Sequence, residues 1–308
     1  MADLATLGAA ARASLAELLE RAEAADGHPA LPEPQRLAVT HPDHAEGTRL
    51  VTACRPDGAP AGCALVSPAR DGSAVLHVVV DPTARDRGED VAAELVRRAL
   101  REEPAGRPLH LWVVRAGPQD DTRAAALGFT PERDLLQMRV PLPLPASVVA
   151  ATRPVTTRPF VPGRDERAWV ATNNRAFADH PEQGGWTIAQ LRERMAAEWV
   201  DLEGFLVADD PDGPGLVGSC WTKVHRDRSP VLGEIYVIAV DPNHHGQGWG
   251  RSLTVAGLES LARRGVRHGM LYTDADNAAA VALYRSLGFV VDHVDRSYRR
   301  DPERSATS

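Results

Sequence analysis

A chain of 308 residues that is 43% hydrophobic and 25% charged has the composition of a folded globular protein and the length of two domains. Its net charge of −7 excludes the broad basic face of a general nucleic-acid binder, though not a local basic pocket. No run approaches the ~20 apolar residues of a membrane-spanning helix, and three unclustered cysteines, Cys54, Cys63 and Cys220, suit a reducing compartment; the expectation is a cytoplasmic monomer with neither membrane nor nucleic-acid partner.

Residues 1–19 lack a basic start ahead of an apolar core, so they read as an amphipathic helix and not as a secretory leader. Landmarks of the first half then return in the second. Val80-Asp81-Pro82 recurs as Val240-Asp241-Pro242, Gly88 as Gly248, Leu111 as Leu271, and Leu127-Gly128-Phe129 as Leu287-Gly288-Phe289. Every pair is 160 positions apart (240 − 80, 248 − 88, 271 − 111, 287 − 127), which predicts two tandem copies of one fold. Between the copies, prolines at alternate positions in 140–145, then Arg153-Pro154 and Arg158-Pro159, predict an extended linker or edge segment. The expected domains are therefore residues 1–146 and 153–308.

In the second copy the periodicity predicts helices over 165–178 and 187–200, then strands over 205–208, 216–223 and 231–240. A helix over 248–264, a strand over 269–273, a short helix over 278–286 and a strand over 289–294 follow. An antiparallel-looking meander ahead of a glycine loop makes the fold class α+β, each copy a mixed, mostly antiparallel sheet with flanking helices.

The most informative stretch is 233–251, GEIYVIAVDPNHHGQGWGR. Asp241-Pro242 stops a β-branched strand, and Gln247-Gly248-Trp249-Gly250-Arg251 opens an apolar-periodic helix. Strand, glycine turn and helix form an anion cradle: glycines let the backbone approach, and the free N–H groups of the helix start point at a phosphate. Strand alternation places Glu234, Tyr236, Ile238 and Val240 on one face. A carboxylate beside an anion cradle points to a catalyst with a phosphorylated cofactor, the plainer alternative being a solvated strand-end glutamate. His244 and His245 are adjacent, but no cysteine or carboxylate pair surrounds them, so no metal is expected.

The run from Asp241-Pro242 to Gly250 resembles the pyrophosphate loop of the GNAT acyl-CoA N-acyltransferases, with His245 where that superfamily carries Arg or Gln. Residues 277–289, NAAAVALYRSLGF, are similar to its C-terminal signature. A narrower resemblance covers nearly the whole chain. Asn173-Asn174-Arg175-Ala176-Phe177, the block HPEQGGW at 180–186, Trp221-Thr222-Lys223, GEIYV at 233–237 and Leu271-Tyr272-Thr273-Asp274 resemble the mycothiol synthase family, the tandem GNAT enzymes of actinobacteria. The resemblance implies two GNAT domains. It also implies transfer of acetyl from acetyl-CoA to the cysteinyl amine of a cysteine–glucosamine–inositol conjugate, the last step of mycothiol synthesis.

It further implies Glu234 as the base that takes the amine proton, directly or through water, and Tyr284 as the acid or hydrogen-bond donor for the departing thiolate. A lone helical tyrosine is by default a core residue, but its spacing to Asn277 and Leu287-Gly288-Phe289 favours the acid. Ile238, Ala239 and Val240 would present backbone groups to the pantetheine arm and thioester. His245, Gly246, Gln247, Gly248, Trp249, Gly250 and Arg251 would cradle the pyrophosphate. Asn277, Ala278, Ala279, Ala280, Val281 and Ala282 would line the cofactor, and Val78, Val79 and Val80 would do so in the first copy. Glu33, Glu182, Lys223, Glu234 and Tyr272 would touch the acceptor, carboxylates accepting from sugar hydroxyls and lysine donating to oxygens; for Glu33 and Lys223 a surface charge is the alternative.

The 160-residue offset also separates the copies. Ala74 stands opposite Glu234 and Ala124 opposite Tyr284, and neither alanine moves a proton. Asp90 stands opposite Gly250, adding a carboxylate beside a phosphate site and bulk where backbone must approach; Glu89 adds a second. The first copy is expected to be catalytically dead, left to pack against and close the acceptor cleft. In the family it can still hold acetyl-CoA, which Glu89 and Asp90 oppose here. Two readings compete: another small-molecule acetyltransferase, acting on an aminoglycoside or polyamine, against which the HPEQGGW block argues, and a non-catalytic acyl-CoA-sensing module, against which Glu234 and Tyr284 argue together.

Overall fold

The computed structural model describes all residues but 70, 86–89, 104–105, 179–182, 227 and 303–308. The first repeat runs β1 (Ala2–Asp3), α1 (Ala9–Asp26), α2 (Glu33–Thr40), β2 (Arg49–Cys54), β3 (Pro60–Pro68), β4 (Ala74–Val80), α3 (Pro82–Arg85), α4 (Val91–Glu102), β5 (Leu109–Val113), α5 (Pro118–Ala126) and β6 (Thr130–Pro141). The second runs α6 (Ala146–Ala150), β7 (Arg158–Pro159), α7 (Glu166–Ala176), α8 (Ile188–Met195), β8 (Phe205–Asp209), β9 (Leu216–His225), β10 (Leu232–Val240), α9 (Trp249–Arg263), β11 (His268–Asp274), α10 (Ala278–Ser286) and β12 (Val290–Arg300). Late in each repeat the offset is exact in the elements: α5 and α10 both begin and end 160 positions apart (278 − 118, 286 − 126). Of the expected linker or edge segment, 140–141 close β6 and α6 follows at Ala146–Ala150, whereas 151–157 carry no regular element and Arg158–Pro159 form the edge strand β7.

The chain divides into two compact units, Met1–Asp134 with Val294–Ser308, and Leu135–His293. The division cuts through β6 and β12, so the units are not the contiguous halves 1–146 and 153–308. Each takes its last strand from the other repeat. In the first unit β12 pairs antiparallel with β5, from Arg296↔Val113 to Arg300↔Leu109. In the second, β6 pairs antiparallel with β11, from His268↔Pro141 to Asp274↔Leu135.

In the first unit the strand order is β1-β2-β3-β4-β5-β12. Only β4 and β5 are parallel, and α4 supplies the crossover such a pair requires. Leu15, Leu18 and Leu19 of α1 pack with Cys63, Leu65 and Val79 on one face. On the other, Leu95, Val96 and Ala99 of α4 pack with Ala64, Ala74 and Leu76.

The second unit repeats the plan as β7-β8-β9-β10-β11-β6, with β10 and β11 the parallel pair. Trp169 of α7 meets Phe205 and Trp221 edge-on, and those two rings stack at 4.2 Å. Helix α9 lies on the opposite face, pressed so close that a Cβ on Gly257 would stand 2.4 Å from Sγ of Cys220 and 2.9 Å from Cδ1 of Ile235. Alanine there would force the helix off the sheet.

One irregularity distinguishes the units. The β9–β10 ladder pairs Ile235 with Thr222 and then Val237 with Trp221, leaving Tyr236 as a bulge. The β3–β4 ladder runs from Pro68↔Ala74 to Gly62↔Val80 without a break. An extra residue shifts every side chain upstream of it to the other face.

Candidate active site

The bulge overturns the expectation that Glu234 and Tyr236 share a face with Ile238 and Val240. Cross-strand partners point to the same side of a sheet. Glu234 pairs with Lys223, on the side of Trp221 and α7; Ile238 pairs with Cys220, on the side of α9. The regular alternation of EIYVIAV conceals this change of phase. It also corrects the comparison between repeats. Glu234 pairs with Lys223 and Met270, and in the first unit Val75 holds the matching place, between Ser67 and His110. The residue opposite the glutamate is thus Val75, not Ala74, and it too is unable to move a proton.

Beyond Glu234 the parallel strands part. β10 pairs with β11 only at Gly233↔Gly269 and Glu234↔Met270, while its other edge stays bonded to β9 as far as Val240↔Gly218. The backbone of 235–240 is therefore open toward β11, and a slot is left where the strands splay. The first unit has the same slot after His77↔Trp112, and there a cavity of about 570 Å³ is lined by Val78, Val79, Val80, Leu111, Val113 and Ala124.

At the end of β10, Asp241 accepts from Asn243 N and from Arg175 Nε of α7, at 3.0 and 2.9 Å. Burial by itself would raise its pKa; the Asn243 N–H and the Arg175 guanidinium outweigh that and hold it below the usual carboxylate range. Gly246 and Gly248 have φ of 74° and 84°, the left-handed region that glycine enters without cost. Gly248 caps α9 with no side-chain bond to the helix, so the cap residue leaves the first N–H groups of α9 to an anion.

The first unit differs at this point. Asp90 caps α4 and accepts from Ala93 N at 3.0 Å, so a carboxylate already occupies the helix start. Crowding is not the reason: a Cβ on Gly250 would meet only Cδ2 of Leu283, at 3.7 Å. Glu89 lies outside the described residues.

His245 sends Nε2 to Val240 O at 3.1 Å, and His244 approaches Asp210 at 3.4 Å. Arg251 donates to Ser286 Oγ at 2.7 Å and to Thr152 Oγ1 at 3.0 Å, tying α9 to α10 and to the segment after α6. Arg153, read in the sequence only as linker, stacks 4.6 Å above Trp249 and donates to Gln247 O at 3.3 Å. It adds a cation to the loop that no periodicity marks.

On α10, Asn277 caps the helix, accepting from Ala280 N at 3.1 Å. Ala278, Ala279 and Ala282 are exposed, whereas Val281 is buried. Tyr284 is 7% exposed, and burial, with a lesser contribution from Cys220, pushes its pKa up to about 12. Its counterpart Ala124 is buried.

Three residues expected at the acceptor come together on the Trp221 face. Lys223 lies with Nζ 4.4 Å from the Trp199 ring centroid, beside Glu234. Tyr272 stands two residues along β11 from Met270, the partner of Glu234, and its hydroxyl accepts from Gln137 Nε2 at 2.7 Å. Arg139 donates to Gln137 Oε1 at 2.9 Å, which fixes the amide with its NH₂ toward the tyrosine. Gln137, only 1% exposed, comes from β6 of the other repeat, so no reading of the second repeat alone finds it. His225, on the face of Lys223, was also missed. Glu33 opens α2 in the first unit, and Glu182 lies outside the described residues. No three His, Cys, Asp or Glu side chains group as a metal site among the described residues, and no described helix is long and apolar enough to cross a membrane.

Residues 169–289 match the model of the Acetyltransferase (GNAT) family. The mycothiol acetyltransferase of Kocuria rhizophila is 41% identical over 298 residues, 92% of this chain and 94% of its own. The chain belongs to the mycothiol acetyltransferase family. That of Thermomonospora curvata is 47% identical over 250 residues, 80% of each chain. Among solved structures, a tandem GNAT protein from the clavulanic acid biosynthesis pathway superposes with a TM-score of 0.64 at 19% identity, over 96% of this chain and 95% of that one. The fold is thus α+β with GNAT architecture, and the members of a mycothiol acetyltransferase family built on it are acetyl-CoA-dependent acyltransferases with small-molecule acceptors.

Proposed function

We propose that the chain transfers acetyl from acetyl-CoA to the cysteinyl amine of 1D-myo-inositol 2-(L-cysteinylamino)-2-deoxy-glucopyranoside, giving mycothiol, at one site in the second unit. The observation that carries this reading is the convergence of Lys223, Glu234 and Tyr272 on one sheet face beside the splayed edge of β10. The pantetheine arm would enter the splay along Ile238, Ala239 and Val240. The pyrophosphate would lie on residues 245–251, and residues 277–282 would flank it.

An α-amine titrates near ~8, so much of it is protonated at neutral pH. Glu234 accepts that proton, directly or through a water, and frees the nitrogen lone pair to attack the thioester carbonyl. Tyr284 serves the leaving group. With a pKa of about 12 it stays protonated at every working pH. Giving its proton outright to a thiolate whose acid has a pKa of ~8.5 is uphill by about 5 kcal/mol. Tyr284 therefore stabilises the departing sulfur as a hydrogen-bond donor, and the thiol takes its final proton from elsewhere. Lys223 and Tyr272 hold oxygens of the acceptor, and Glu182 belongs to the same proposal as a sugar contact. The first unit is read as non-catalytic, since Val75 and Ala124 stand where proton transfer would need acids or bases. A cytoplasmic monomer completes the reading.

The test incubates the full chain with acetyl-CoA and the cysteine–glucosamine–inositol conjugate and identifies the N-acetyl product by mass. Aminoglycoside and polyamine acceptors run alongside. Higher kcat/KM on either competitor would overturn the assigned acceptor. Thiol release is a poor readout, because acceptor and product both carry a thiol. Glu234→Gln should lower kcat by ~10²–10⁴-fold.

A further inference from the structure

Glu234 does not face the acceptor alone. Nε2 of His225 lies 2.7 Å from its Oε2, and the two side chains are only 13% and 12% exposed. The β9–β10 register produces the contact: Lys223 stands directly across from Glu234, and His225, two residues on and on the same face, stands across from Leu232 and reaches back diagonally. A carboxylate oxygen only accepts, so the ring proton between them sits on Nε2.

We propose that His225 is a positioning residue for the acetyl transfer. Its Nε2–H holds one oxygen of Glu234, fixes the carboxylate rotamer and stabilises the anion, leaving the second oxygen to receive the amine proton. The imidazole keeps its own proton throughout; only the ammonium proton moves, to Glu234. This rests on the reading of Glu234 as the base. Two features make the arrangement specific to the second unit. The β10 bulge turns Glu234 toward His225, and the ladder without a bulge in the first unit sets Val75 at the matching place. The other charged or titratable groups that the register sets on this face are Lys223 of β9, Tyr236 of β10, His268, Tyr272 and Asp274 of β11, Arg139 of β6 and, at the far edge, Arg158 of β7. Arg175 of α7 is held by Asp241 at the far end of β10.

One requirement follows. A carboxylate free to rotate must be a poorer base, so removing the imidazole must lower kcat without weakening acetyl-CoA binding.

The experiment compares wild type, His225→Ala, His225→Gln and Glu234→Gln as full chains. It reads kcat and KM for both substrates across pH 5 to 9, with acetyl-CoA binding by calorimetry and thermal melts as a check on folding. In His225→Ala, kcat falls about 10-fold to 100-fold, and acetyl-CoA affinity is unchanged. His225→Gln keeps a neutral donor and recovers most of the rate. A folded His225→Ala with wild-type kcat overturns the proposal, as does a folded His225→Gln as impaired as the alanine variant. Full activity in Glu234→Gln would instead overturn the base reading itself; an inactive Glu234→Gln beside an unaffected His225→Ala sinks only the present inference.

Discussion

Arg175 donates from Nε to Oδ2 of Asp241 at 2.9 Å, joining α7 to the residue at which β10 turns into the glycine loop. The first unit has the same device, Asp81 receiving Arg21 at 2.9 Å and Arg55 at 3.2 Å. Asp81 and Asp241 are both buried, and each orders the turn that follows its strand. Replacing either by Asn should destabilise the chain by about 1–3 kcal/mol in urea unfolding. Only Asp241→Asn should also raise KM for acetyl-CoA, because only its loop is expected to hold the working cofactor. Both carboxyls have pKa values below the usual 3.8. Their contribution is therefore complete above pH ~4 and is lost as pH falls further.

Tyr284 sets a second expectation. A phenol pushed up to about 12 does not ionise in the assay range. The alkaline side of the kcat profile should show no loss attributable to it up to pH 10. Tyr284→Phe should lower kcat by ~10–10³-fold while leaving acetyl-CoA affinity nearly unchanged. An apparent pKa near 10 that vanishes in the Phe variant would contradict the buried-donor role.

Asp90 and Gly250 set a third expectation, the number of cofactors bound. The first unit keeps its slot, but the Asp90 carboxylate occupies the start of α4. Calorimetry on the wild type should find one tight equivalent of acetyl-CoA per chain. Asp90→Gly should strengthen a second site by about 10-fold, and Gly250→Asp should weaken the first by a similar factor. Two tight equivalents in the wild type would refute the argument from the cap.

His77, on the wall of the first unit's cavity, has its pKa lowered by burial to about 4 from 6.5. The unfolded chain takes up a proton near pH 6.5 that the native chain refuses until pH 4. Stability should therefore fall as pH drops through that window, by about 3 kcal/mol in total from this group. Unfolding at pH 7, 5.5 and 4.5 checks it: His77→Leu should flatten the slope above pH 4.5, where the lowered aspartates do not yet contribute.

Much of the second unit was readable residue by residue. The helix over 278–286 has the bounds expected of it, because capping Asn277 and Gly288 punctuate it plainly. The glycine loop and its helix were equally plain, since Asp241, Pro242 and Gly248 each have one strong local preference. What stayed hidden had no local signal. The bulge at Tyr236 leaves the alternation of residue types intact, so Glu234 was assigned to the wrong face and Ala74 to the wrong comparison. β6 and β12 carry similar patterns, and nothing in either says which repeat it will complete. β12 was expected to end near residue 294 but runs to Arg300, because Asp295, Arg296, Arg299 and Arg300 look like surface until β5 and Asp134 claim them. His225 was within reach: it alternates with Lys223 on a strand already assigned.

The exchange of β6 and β12 bears on the history of such a chain. Once each repeat borrows its closing strand from the other, the gene no longer contains two separable modules. A protein cut near residue 146 would leave β5 without β12 on one piece and β11 without β6 on the other, two bare sheet edges where there had been none. Substitutions at Val75 or Ala124 leave β5 and β12 paired, whereas deletion of the first repeat would strip β11 of β6.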